Sequence, residues 1–178
     1  MDRHGSTIGG FTDGTLLRLW GGAVAGGWLV SQAAAIVGGT SEAVQLGVTA
    51  FWLVGSLVPI AGSALWMRRR SVAALFPVWT LLGVGGLVAS FAVAAEAVAV
   101  SPVSAFGGLW FVGPAVGFGV TAVSMNDWSG RLYAGAAAAN LAAGAAVVAV
   151  PGFESVYFAV AAVVQGLPML YHSTRLDR

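Results

Sequence analysis

Residues 64–73 read ALWMRRRSVA: an apolar run, Trp66, Met67, then Arg68, Arg69 and Arg70 in succession before small apolar residues resume. Three of the chain's eight basic residues are spent here, inside a sequence that is 58% apolar and 8% charged. A water-soluble domain of 178 residues would need far more charge to cover its surface, so lipid is the expected solvent. The length suits one compact domain. The arginine triplet then reads as a boundary between two apolar segments, and its neighbours can be found by listing the other boundaries.

Charge-free runs occupy residues 19–41, 43–67, 71–95, 97–126, 132–153 and 155–174. A helix rises about 1.5 Å per residue, so about 20 residues cross a hydrocarbon layer of about 30 Å. Each run is long enough, and none alternates with the two-residue period of a barrel strand. The sequence therefore predicts an all-α, polytopic integral membrane protein: six transmembrane helices in three tandem antiparallel hairpins, near 17–38, 43–67, 71–95, 105–126, 131–150 and 154–172. A short N-terminal tail (1–15) precedes them and a tail (173–178) follows.

The boundaries alternate in sign. Arg3 and Arg18, then Arg68–Arg70, then Asp127 with Arg131, then Arg175 and Arg178 fall on one side; Glu42, Glu96 and Glu154 fall on the other. Basic residues in short loops stay cytoplasmic, which puts both termini inside and the protein in the plasma membrane as a multi-pass chain. Arg68, Arg69 and Arg70 are thus topology markers that can touch anionic headgroups beside Trp66. Trp20, Trp66, Trp128, Tyr133 and Tyr171 lie near the basic ends and Trp52, Trp110, Phe153 and Tyr157 toward the acidic ends, as interfacial belts require. A rival reading of the N-terminus is a signal peptide, with Ala33–Ala35 as its cleavage site.

Internal similarity accompanies the hairpin pattern. At an offset of 59, WGGAVAGGWLVSQAAA (20–35) lies on WTLLGVGGLVASFAVA (79–94), pairing Trp20 with Trp79, Gly27 with Gly86 and Ser31 with Ser90. At an offset of 58, residues 51–67 lie on 109–125, pairing Trp52 with Trp110, Gly55 with Gly113 and Met67 with Met125. The third hairpin keeps less. Three tandem hairpins with glycine-rich helices, Pro102 and Pro151 in outer loops, and the segment LYAGAAAANLAAGAAVVAVPGFESVYFAVAAVVQG (132–166) resemble the small six-helix HdeD-like acid-resistance membrane protein family, over positions 17–172. That resemblance implies a role in tolerating envelope or acid stress and carries over no catalytic residue.

Helix association in lipid must come from close backbone approach and interhelical hydrogen bonds. Gly22 with Gly26 and Gly113 with Gly117 make GxxxG spacings, expected to pack within the bundle or to form a seam with a second copy. Pro59, Pro114 and Pro168 fall inside spans and should bend them. The candidate intramembrane polar site is Gln32, Asn140 and Gln165 with Glu96. Asn140 and Gln165 lie at equal depth, roughly 12 to 14 Å from the basic side, and are expected to face each other. They would form either an interhelical hydrogen bond or the wall of a polar pocket. Glu96 is either the outer marker of helix three or an embedded proton site.

Several chemistries are excluded or unsupported. With no lysine there is no Schiff base, and with no cysteine no thiol chemistry, disulfide or thiolate metal site. A net charge of +1 offers no field for nucleic acid. His4 and His172 both fall at basic-side ends, so no metal site, haem or other cofactor is expected, and no catalytic motif occurs. The expectation is a non-enzymatic membrane protein of packing or interaction type, its partners the bilayer and a second copy or another membrane protein. The alternative is a small channel or transporter for a neutral solute or protons.

Overall fold

The computed structural model describes residues 13–38, 43, 44, 46–55, 75–95 and 102–176. It is all-α, with no strand among the described residues. The helices are α1 (Asp13–Gly38), α2 (Leu46–Gly55), α3 (Leu75–Ala94), α4 (Pro102–Val123), α5 (Trp128–Ala149), α6 (Tyr157–Ala161) and α7 (Leu167–Leu176). A 3₁₀ turn, Phe153–Ser155, precedes α6, and a π-helical turn, Ala162–Gly166, joins α6 to α7. Arg68–Arg70 and Glu96 lie outside the described residues, as does Pro59.

Two turns are set locally by their sequence. Between α4 and α5, Asp127 is the N-cap in extended conformation and accepts from the Ser129 backbone N–H at 2.9 Å. Gly130 packs so closely on the Met125 carbonyl that any β-carbon there would collide with backbone. After α5, Pro151 cannot continue a helix, and Gly152 takes φ +82°, a left-handed conformation open to glycine.

Neighbouring helices run antiparallel, joined by small residues. A β-carbon on Gly21 would lie 3.0 Å from the Leu170 nitrogen, and one on Gly166 would lie 2.6 Å from the Ala25 β-carbon. Thus α1 and the α6–α7 unit meet almost backbone to backbone. The GxxxG spacings contribute less: Gly117 packs on Trp79, but Gly22, Gly26 and Gly113 meet no described side chain within 4 Å.

Ring contacts fix which ends coincide. Trp20 meets Trp79, Trp79 meets Phe118, Phe118 stacks on Tyr133, and Tyr133 meets His172. The starts of α1, α3 and α5 therefore share one end with the finishes of α4 and α7. Arg18, Arg131 and Arg175 all lie at that end, with Asp13 and Asp127, whereas Glu154 lies at the other.

Large aliphatic side chains point outward: Ile36 is 74% exposed, Leu81 73% and Val148 81%. Amides and hydroxyls point inward, with Ser31, Gln32, Ser90, Asn140, Gln165 and Ser173 all buried. Among the described residues two helices, α1 and α5, are long and apolar enough to cross a membrane, and only 28% and 22% of their most apolar stretches are buried in the bundle.

Candidate functional site

Proline chemistry explains how the buried amides are placed. Pro114 has no N–H, so the Trp110 carbonyl four residues earlier loses its helical donor; Pro168 does the same to the Val164 carbonyl. Such carbonyls are tolerated away from water only where neighbouring helices supply another donor. Gln165 Nε2 donates to the Trp110 oxygen at 2.7 Å. Asn140 Nδ2 donates to the Val164 oxygen at 3.3 Å and to the Ala136 oxygen of its own helix at 2.9 Å.

The two amides also meet, Gln165 Nε2 donating to Asn140 Oδ1 at 3.1 Å. The Trp28 indole Nε1 donates to Gln165 Oε1 at 2.9 Å. Each amide nitrogen has two hydrogens, and all four have acceptors. Asn140 is wholly buried and Gln165 is 4% exposed. The network ties together α1, α4, α5 and the π turn, and Gln165 sits in that turn.

Gln32 works differently and stands apart from the pair. Its Nε2 donates to the Ser155 carbonyl at 2.8 Å, and its Oε1 accepts from the Ala159 N–H at 3.1 Å. In a regular helix those two groups would bond each other. The side-chain amide, which carries the same donor and acceptor as a peptide group, is inserted between them and bridges the break before α6.

The repeat read from sequence has a three-dimensional counterpart. Ser31 donates to the Gly27 carbonyl (2.9 Å) and accepts from the Trp52 indole (3.1 Å). Ser90 donates to the Gly86 carbonyl (2.8 Å) and accepts from the Trp110 indole (3.0 Å). Both tryptophans lie across the glycine of their set. Gly117, Thr121 and Trp79 make the same arrangement between α3 and α4. The packing unit is thus a glycine, a hydroxyl residue four positions later, and an indole from the adjacent helix. Trp28, Trp52, Trp110 and Phe158 gather their rings where the two copies meet.

No family model, curated protein or solved structure matches the chain.

At the arginine-bearing end lies a cluster that the sequence did not single out. The Tyr133 hydroxyl and His172 Nδ1 are 2.9 Å apart, both residues buried, and the Trp128 ring stands edge-on to the imidazole. Asp127 begins α5 beside them, and the Ser129 hydroxyl donates to its carboxylate. That bond, more than the backbone N–H groups of Ser129 and Gly130, holds the Asp127 carboxyl below its ordinary range. Outside this cluster Arg175 Nη2 donates to the Tyr171 hydroxyl at 2.7 Å. No group of three or more His, Asp or Glu residues able to hold a metal occurs among the described residues. The Thr49 hydroxyl is the one buried side-chain polar atom among them without a partner.

Proposed function

We propose that the chain is a multi-pass protein of the plasma membrane, crossing six times with both termini cytoplasmic, whose work is helix packing and interaction and involves neither catalysis nor solute passage. The observation that carries the second half is the full engagement of the buried amides. Gln165 and Asn140 spend their donors on carbonyls freed by Pro114 and Pro168 and on each other. A solute path would need such donors unpaired along its wall.

The inverted arrangement of side chains supports the first half. Aliphatics outward and amides inward suit a hydrocarbon solvent, in which an unpaired polar group costs several kcal/mol on the order of magnitude. The gathering of the described arginines at one end supports the cytoplasmic assignment of that end. Retention of the first helix is part of the proposal: Trp28, Gly21 and Ala25 of α1 are built into the bundle, and cleavage near Ala33–Ala35 would remove the Gln165 acceptor's partner.

The partners proposed are the bilayer and a second copy of the chain or another membrane protein. The likeness to HdeD-like proteins adds envelope or acid stress as the setting. Reconstitution tests the functional half. Proteoliposomes should shrink and re-swell in osmotic jumps with small neutral solutes, and dissipate a pH gradient, at the rate of protein-free vesicles. Faster flux that Asn140→Leu or Gln165→Leu abolishes would overturn it in favour of a channel.

A further inference from the structure

We propose that His172 and Tyr133 form a proton-operated latch that holds the C-terminal helix α7 against α5 at the arginine-bearing end and lets go on acidification.

The two side chains belong to different helices and are 39 residues apart in sequence, yet their polar atoms lie 2.9 Å apart in a buried setting. Tyr133 is 4% exposed and His172 8%. Trp128 closes the cluster, its ring 5.3 Å from the imidazole and 6.0 Å from Tyr171. The hydroxyl has the imidazole as its partner among the described residues.

A neutral imidazole protonated on Nε2 accepts the Tyr133 hydroxyl proton at Nδ1. An imidazolium donates from both nitrogens, so the bond must reverse and the hydroxyl hydrogen loses its acceptor. The arriving charge also enters a site walled by Tyr133 and Trp128. From the α4–α5 turn, Asp127 is the charge that acts on the imidazole. On α5, Tyr133 faces it directly, while Arg131 lies exposed in the first turn. On α7, Arg175 is turned to Tyr171. On α1, which runs antiparallel to α7, Asp13 and Arg18 lie toward the same end. Asp127 is itself engaged by Ser129 as the cap of α5. Compensation is thus partial, and one buried hydroxyl donor is left without an acceptor.

Amide hydrogen exchange of the full chain in lipid nanodiscs tests this. Between about pH 7.5 and about pH 5, where an imidazole changes charge, exchange of the α7 amides corrected for its intrinsic pH dependence should rise about tenfold. That is the scale on which leaving one buried donor without an acceptor shifts a local opening. His172→Gln, which keeps an acceptor for Tyr133 but does not titrate, should abolish the rise. A flat response in the parent, or an unchanged rise in His172→Gln, overturns the proposal. As a second measurement, His4→Asn leaves His172 as the one histidine of the chain. Its imidazole NMR signals should then titrate in step with the loss of α7 protection. Titration with protection unchanged overturns the latch even where the glutamine variant does not fold.

Discussion

Gln165 supplies, from another helix, the hydrogen-bond donor that Pro114 lacks. Its Nε2 lies 2.7 Å from the Trp110 carbonyl, the group four residues before the proline. Asn140 does the same for Pro168 through the Val164 carbonyl. Two proline-bearing helices and two buried amides are one solution, in which each proline creates an acceptor and each amide fills it.

That relationship makes a thermodynamic cycle informative. Gln165→Leu should destabilise the bundle by about 1–3 kcal/mol, because Trp28, Asn140 and the Trp110 carbonyl lose a partner together. Pro114→Ala restores the backbone N–H at that position. In the Pro114→Ala background the same Gln165→Leu change should cost less, by about 1 kcal/mol. Unfolding in mixed micelles measures all four corners. Strictly additive costs would show that the amide and the proline are independent.

The paired glycines should respond unequally. A β-carbon on Gly27 would stand 2.7 Å from the Trp52 ring, which Ser31 and Trp28 hold in place, so Gly27→Ala should cost about 1–3 kcal/mol. On Gly86 the corresponding distance to Trp110 is 3.3 Å, and a shift of a few tenths of an ångström accommodates it. Gly86→Ala should therefore cost clearly less than Gly27→Ala in the same melting assay. Equal losses would show that the two copies of the repeat are not packed as described.

Much of this arrangement was legible in the sequence, for physical reasons. Charge-free runs mark helices because charges collect at boundaries, and the described helices fall within or close to those runs. Counting residues from the boundaries placed Asn140 and Gln165 at one level, and they are hydrogen bonded. The alignment of Gly27, Ser31 and Trp52 with Gly86, Ser90 and Trp110 picked out the residues of a real packing unit. What could not be read was lateral: which helix stands beside which. Pro114 in a sequence says that a carbonyl is free; only the bundle says that Gln165 reaches it. The sixth run also hid its breaks. The Gln32 amide inserted at its start and Pro168 farther on mark its division into α6, a π turn and α7, which runs on to Leu176. His172 read only as a residue at the basic-side end of the last helix, because its partner Tyr133 lies on another helix.

Acid should weaken the cap of α5. The Asp127 carboxyl is held below its ordinary value of 3.8, chiefly by the Ser129 hydroxyl. A carboxyl depressed in the folded state contributes stability above its unfolded pKa and loses it as pH falls through the folded one. The parent should therefore exceed Asp127→Ala by about 1 kcal/mol near pH 6. The gap should narrow below about pH 4. Because Asp127 is exposed, water screens the charge contribution, and most of the gap belongs to the capping hydrogen bond. Melting curves across this range check it. A gap constant down to about pH 2 would exclude the carboxylate as its source.

The most direct measurement uses the absence of native cysteine. Single cysteines placed at Arg131 and at Glu154, which occupy opposite ends of the bundle, are labelled with an impermeant maleimide in intact cells and again after permeabilisation. The account predicts that Glu154→Cys reacts in intact cells and Arg131→Cys only once the membrane is opened, with Glu42→Cys following the first and Arg69→Cys the second. Labelling of Arg131→Cys and Glu154→Cys from the same side of an intact membrane would contradict it.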